Sequence, residues 1–272
     1  MNTPHIAFVG AGNMASSIIG GLVESGHPAD KISAADPFPN SLERVRQVAP
    51  IAVYNDNAQA VEGADVVILA VKPQVMAEAT QSIAPQVQAQ GAVVISIAAG
   101  ITVDSLQARL GEVAIVRCMP NTPSLLGCGA SGLFANAHTS DTQREYAERI
   151  LSAVGTTCWV DTEDELDAIT ALSGSGPAYF FLFMEAMINA GKDLGLSEGV
   201  AAQLAMQTGL GAARMAMEDE ADLTELRRRV TSPGGTTERA VASFQDSDLH
   251  DVVAKAMRAA YDRAQEMARE MG

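Results

Sequence analysis

The residue types best suited to chemistry gather in a few glycine-rich and hydroxyl-rich clusters. Near the N-terminus, Ile6–Val9 reads as a short strand and Asn13–Ser25 as a helix. Gly10–Ala11–Gly12 joins them in a G-x-G-x-x-A pattern completed by Ala15. In such a turn Gly10 permits a sharp reversal, Gly12 lets the backbone approach a pyrophosphate, and Ala15 lets helix pack on strand. Unpaired N–H groups and the positive end of the dipole then hold the anion. A tight turn without a ligand is the alternative. Asp36 closes the next strand candidate, where a carboxylate accepts ribose hydroxyls and repels a 2′-phosphate. It reads equally as a turn residue of Asp36–Pro37.

Further clusters follow later strand ends. Ala70–Val71–Lys72–Pro73 carries the one lysine between Lys31 and Lys192, a cofactor contact or a solvated side chain. Ser96–Gly100 offers small residues with room for a ring. Met119–Pro120–Asn121–Thr122–Pro123 is stiffened by two prolines. Leu172–Pro177 is rich in glycine and serine, and Thr231–Thr237 contains Gly234–Gly235–Thr236–Thr237. Consecutive backbone N–H groups at a helix entrance, with hydroxyls beside them, suit a carboxylate. Helix capping explains Ser232–Pro233 but does not require the two glycines and two threonines.

The four histidines, His5, His27, His138 and His250, fall outside all these clusters. A His–Asp pair that moves an alcohol proton is therefore not in evidence, and no spacing of His, Asp or Cys suggests a metal site. Reduction of a C=N bond needs no such base, because a protonated imine already attracts hydride. Orientation of the reactants and a seat for the carboxylate then suffice.

These clusters need a scaffold. Short apolar runs at Ile6–Val9, Ile32–Ala35, Val66–Ala70, Val93–Ile97, Ala114–Cys118 and, weaker, Cys158–Val160 alternate with helical stretches such as Val103–Leu110. Their non-alternating character predicts parallel strands covered on both faces, an α/β fold with a doubly wound sheet of Rossmann type. From Glu163 onward strand patterns stop. Thr162 is placed to cap a helix through Leu172, Pro177 opens a second, and Ser197 caps a third with Val200, Leu204, Thr208, Gly211 and Met215 on one stripe. A last helix from Asp248 carries Val253, Met257, Ala260, Ala264, Met267 and Met271 on a seam. The reading is a dinucleotide-binding domain over 1–162 and an all-α domain over 163–272, whose Ala- and Met-rich faces point to oligomerisation.

Composition limits the rest. The 272 residues hold 47% hydrophobic and 19% charged residues, a globular balance. Lys plus Arg number 18 against 33 Asp plus Glu, a net charge of −15 that argues against nucleic acid or an anionic membrane as partner. No apolar run approaches the roughly 20 residues of a membrane span, and Met1–Pro4 does not open a signal peptide. Cys118, Cys128 and Cys158 read as reduced thiols, so a cytoplasmic location is expected.

Together the five blocks resemble pyrroline-5-carboxylate reductase over nearly the whole length. They are Gly10–Ala15, Ala70–Pro73, Met119–Pro123, Ser173–Tyr179 and Val230–Thr237, the last being the most specific. The resemblance implies hydride transfer from NADPH or NADH to C5 of 1-pyrroline-5-carboxylate, giving L-proline as the last step of proline synthesis. By that similarity the cofactor is held by Val9, Gly10, Ala11, Gly12, Asn13, Met14, Asp36, Asn57, Ala70, Val71, Lys72, Pro73 and Asn121. The substrate carboxylate falls to Ser232, Gly235 and Thr236, which the residue types extend to the backbone donor of Gly234, and the ring nitrogen falls to the catalytic Thr237. The similarity also implies a homodimer, in some members a decamer, in which the substrate block reaches the partner's cofactor domain. Family members often carry a hydroxyl residue at the position of Asp36, so the carboxylate here tilts the expectation towards NADH. Rival readings are a β-hydroxyacid dehydrogenase, which would need a helical-region lysine as acid–base, and a non-catalytic dinucleotide sensor with a degraded substrate block.

Overall fold

The computed structural model describes residues 3–271, so the reading of Met1–Pro4 lies partly outside the described residues. The order along the chain is β1 (Ile6–Val9), α1 (Asn13–Glu24), β2 (Ile32–Ala35), α2 (Pro39–Val48), β3 (Ala52–Tyr54), α3 (Asn57–Val61) and β4 (Val66–Leu69). There follow α4 (Met76–Gln90), β5 (Val93–Ser96), α5 (Val103–Leu110), β6 (Ile115–Met119), β7 (Gly129–Ala135), α6 (Asp141–Ser152) and β8 (Gly155–Trp159). Six further helices complete the described residues: α7 (Glu165–Ile169), α8 (Gly176–Asp193), α9 (Glu198–Glu218), α10 (Leu223–Arg229), α11 (Thr236–Asp246) and α12 (Leu249–Met271).

The eight strands form one sheet in the order β3-β2-β1-β4-β5-β6-β7-β8. All pairs are parallel except β6 with β7. Alternate residues of β1 feed opposite cores. Ile6 and Phe8 pack with Ile18, Ile19 and Ile150 on one face, Ala7 and Val9 with Ile83, Val87 and Leu106 on the other. Burial on both faces explains why the strands read as continuous apolar runs. The chain order reverses between β1 and β4, and ligands of open α/β sheets bind beyond the strand C-termini at such a point.

Two strands lie outside the sequence expectation. β3 is three residues long and only partly buried, so it has no apolar run. β7 contains Gly129 and Gly132, poor strand formers that are needed because a Cβ on Gly132 would collide with the Ile169 side chain. The expected Thr162 cap is also corrected. Thr162 Oγ1 donates to Glu165 Oε2 at 3.1 Å, and the short α7 passes into a π-turn over Thr170–Gly174. Ser175 N donates to Thr170 O at 2.8 Å to close that turn. Ser197 does cap α9, its Oγ accepting from Val200 N at 3.4 Å, and Pro177 sits in the first turn of α8.

The described chain divides by contact density into two compact units. One runs up to Ser175 and resumes at Ala260, and the other is Gly176–Ala259. This partition differs from a cut at 162/163 because α7 packs on β6 and β7, and because Met267 of α12 lies against Gly100. The second unit is all helical. Its buried residues are Gly176, Ala201 and Ala205, while Phe180, Phe181, Leu182 and Leu204 are exposed. Among the described residues no helix is long and apolar enough to cross a membrane.

Candidate functional site

In the first unit the turn after β1 is built as its residue types require. Gly10 has φ +98°, and a Cβ there would stand 2.6 Å from Ala70 O. Its amide donates to Ala35 O at 2.8 Å, which brings the ends of β1 and β2 together. Gly12 is the N-cap of α1 and offers no side chain to cap it; the space around it is open. A twelve-residue helix therefore starts with free N–H donors in front of a cleft, which fits a pyrophosphate. Val9, Gly10 and Ala11 are buried and shape that turn rather than line the opening.

The cleft has a volume of about 430 Å³ and gathers the loops after four strands. Gly12, Asn13 and Met14 come from the end of β1, and Ala70, Val71, Lys72 and Pro73 from the end of β4. Ile97–Ala99 and Met119–Thr122 follow β5 and β6, and Gly174 of the π-turn adds a wall. Lys72 is the one titratable side chain in this lining. A larger recess, about 540 Å³, runs along the flank of α1 between Gly20, Gly21, Val48 and Leu125. It begins at Asn13 and Arg44, beside the start of the helix, and continues to Glu24 near its end.

Asp36 and Asn57 stand outside the cleft lining. Asp36 is 9% exposed, and both its carboxylate oxygens are engaged. Oδ2 accepts the Ala11 amide and Oδ1 the Phe38 amide, each at 2.9 Å. The carboxylate thus clamps the β2–α2 loop to the glycine turn. Asn57 opens α3 and donates through Nδ2 to Ser82 Oγ at 3.0 Å. Arg44 of α2 donates to Asn13 Oδ1, placing a guanidinium beside the first residue of α1. Asn121 borders the cleft, but its side chain is a tie. Its Oδ1 accepts from Ala130 N at 2.9 Å and its Nδ2 donates to Ser173 O at 3.0 Å. Nothing in the sequence pattern of the Asn121 block indicated that link to the π-turn.

In the helical unit, Thr231–Thr237 turns from α10 into α11. Gly234 has φ +72°, a left-handed conformation that favours glycine. Gly235 has φ −82° and ψ 174°, open to any residue, so the left-handed angle of this loop belongs to Gly234 alone. The two glycine amides are occupied within the loop: Gly234 N donates to Glu238 Oε2 at 2.7 Å and Gly235 N to Ser232 O at 3.0 Å. The start of α11 has no side-chain cap, so the amides of Thr236, Thr237 and Glu238 precede any intrahelical acceptor. With the Ser232, Thr236 and Thr237 hydroxyls they gather hydrogen-bond donors at one helix entrance, beside the Glu238 carboxylate. Arg228 and Arg229 of α10 hold the Glu225 carboxyl at about 2, chiefly by hydrogen bonds.

Comparison with known proteins bears on these two sites. Residues 163–267 match the family described as pyrroline-5-carboxylate reductase dimerisation, and residues 5–100 match the NADP oxidoreductase, coenzyme F420-dependent, family. A pyrroline-5-carboxylate reductase of Pseudomonas aeruginosa is 52% identical over 273 residues, covering 100% of both chains. A solved pyrroline-5-carboxylate reductase from Coxiella burnetii is 42% identical with a TM-score of 0.96, covering 98% of this chain and 99% of that one. The Plasmodium falciparum pyrroline carboxylate reductase, solved with NADP bound, is 27% identical with a TM-score of 0.84 over 98% and 99% of the two chains. A glycine turn before an uncapped helix and a hydroxyl-rich helix entrance thus occur in a chain related over its full length to one set of enzymes: it belongs to the pyrroline-5-carboxylate reductase family.

Proposed function

We propose that this protein reduces 1-pyrroline-5-carboxylate to L-proline at the expense of NADPH or NADH, the last step of proline synthesis. The observation that carries the reading is the lining of the first unit's cleft. It has a helix start suited to a pyrophosphate and, among described residues, only Lys72 as a titratable side chain. An acceptor that needs a general base is poorly served there, whereas a protonated imine is well served.

When bound, NAD(P)H supplies the hydride. Gly12, Asn13 and Met14 would hold its pyrophosphate, and Ala70–Pro73 and the Asn121 loop its nicotinamide half. Val9, Gly10, Ala11, Asp36 and Asn57 act behind them, fixing the turns. Ser232, Thr236 and the α11 N-terminal amides would hold the substrate carboxylate in a protein of net charge −15. Gly234 supplies the left-handed turn, and Gly235 lets Ser232 O approach closely. The Thr237 hydroxyl would hydrogen-bond the ring nitrogen and steady the amine as it forms, without taking a proton from carbon.

The functional division is 1–162 for the cofactor and 163–272 for substrate and assembly. The assembly is a homodimer, with a decamer of five dimers as its extended form, and the location is cytoplasmic. Support for assembly comes from the apolar residues that the helical unit leaves exposed. The test follows cofactor absorbance with pyrroline-5-carboxylate and, separately, hydroxyisobutyrate. Turnover of the imine alone is expected. No turnover of the imine at saturating cofactor overturns the proposal.

A further inference from the structure

The first unit contains three phenylalanines. Phe8 is fully buried and Phe134 packs against the core, but Phe38 is 68% exposed. A single exposed apolar side chain is unremarkable in itself. Its setting distinguishes this one. Phe38 lies in the loop after β2, between Pro37 and Pro39, whose rings fix their own φ and leave the loop little freedom. Its amide is held by Asp36 Oδ1 at 2.9 Å, while Asp36 Oδ2 holds the Ala11 amide of the glycine turn. The Asp36 amide in turn donates to Tyr54 O at 3.3 Å, tying the same loop to the end of β3. A buried carboxylate, two prolines and two strand ends thus position one exposed ring at the C-terminal edge of the sheet. That edge also carries the glycine turn and the uncapped start of α1.

Resting on the cofactor reading above, we propose that the Phe38 ring is the platform on which the adenine of the cofactor stacks. Bases and aromatic rings stack without regard to base identity, and a ring fixed in advance loses little entropy on doing so. The clamp explains why a charged Asp36 is kept under a loop whose outward residue is apolar: its carboxylate faces the two amides, and the ring faces the ligand. Adenine recognition at this point is therefore by the π-face, with no hydrogen bond required to the base.

The test measures binding rather than turnover. Titration calorimetry with ADP, which carries the adenine and pyrophosphate, is run on the wild type, Phe38→Ala and Phe38→Trp. Reduced nicotinamide mononucleotide, which lacks adenine, is the second ligand. Phe38→Ala is expected to weaken ADP roughly tenfold, within the range of base–aromatic stacking. Phe38→Trp is expected to restore ADP binding, and the mononucleotide affinity is expected to stay level across the three proteins. Unchanged ADP affinity in Phe38→Ala overturns the proposal, as does an equal loss for both ligands. A change in oligomeric mass without a change in ADP affinity assigns the ring to subunit contact and also overturns it. Absence of ADP binding by the wild type refutes the cofactor reading itself, a result distinguishable from all of these.

Discussion

Removal of the Asp36 carboxylate should cost stability before it affects selectivity. In Asp36→Ala the buried Ala11 amide and the partly buried Phe38 amide both lose their acceptors. An orphaned buried donor costs about 1–3 kcal/mol, and a bond to a charged acceptor lies at the upper end. Water can reach the Phe38 amide more readily, so the pair together is worth about 2–4 kcal/mol. A domain of 150–250 residues loses about 2–4 °C per kcal/mol, so the melting temperature should fall by roughly 4–16 °C. Asp36→Asn should fall between, because its oxygen can accept one amide while its NH2 group faces the other. Asp36→Ser should lose stability as well, yet raise the NADPH/NADH ratio of kcat/KM, because a like charge near the 2′-phosphate is gone. The assay is circular-dichroism melting without cofactor at fixed protein concentration, followed by kinetics with each nucleotide. An Asp36→Ala protein that melts within about 1 °C of wild type would refute the clamp. A selectivity ratio left unchanged by Asp36→Ser would refute any part for its charge in cofactor choice.

Arg44, the cation beside Asn13, should favour the 2′-phosphate; Arg44→Ala is expected to raise KM for NADPH more than for NADH, and an equal rise would deny it that part. Thr237→Ala should lower kcat/KM by roughly one to two orders of magnitude, the value of one hydrogen bond to a charged partner, with ADP affinity unchanged. Gly235→Val should be worse by crowding, since a Cβ there already meets Ser232 O at 3.0 Å; near-normal kinetics for both variants would make the loop structural. Burial raises the pKa of Asp167 above its usual 3.8, with Arg117 opposing. Its protonated form therefore contributes stability that is present below the unfolded value and lost as pH rises through the folded one. Asp167→Asn should melt at or above wild type at neutral pH and converge with it near pH 4, and a variant less stable throughout would contradict this. Burial pushes the Cys118 thiol up to about 12, so thiol titration of the native protein should reach exposed Cys128 and Cys158 but not Cys118 until unfolding.

How much was legible in the sequence follows from where the information lies. β1, β2, β4, β5 and β6 are buried on both faces, so their apolar runs stand out; β3 is short and half-exposed, and β7, though largely buried, is built of small residues, with glycine where α7 packs on it. The glycine turn was readable because only backbone chemistry is at stake there. Asp36 was readable as a turn residue or a ribose contact, but its bond to the Ala11 amide of another loop follows no local pattern. The same holds for Asn121, whose partners are Ala130 and Ser173, and for Glu238, whose oxygen reaches back to Gly234. Local residue types identified the blocks; the long-range hydrogen bonds that hold their loops together could not be read from them.

The helical unit shows the same division at a larger scale. Its sequence is apolar enough to build a core, yet within one chain only Gly176, Ala201 and Ala205 are buried there. Phe180 is 70% exposed and Leu182 67%, and each such side chain gains about 1.5–3 kcal/mol when fully buried. A handful of them is comparable to the stability of an ordinary domain, about 5–15 kcal/mol, so their burial in an assembly should contribute heavily to the stability of this unit. The residues proposed to hold the substrate carboxylate sit at the N-terminus of α11, within this unit. Their geometry is then as dependent on protomer concentration as the fold that carries them. Dilution should weaken imine binding and loosen the helices together, whereas the first unit, with both faces of its sheet already covered by its own helices, should keep its affinity for ADP.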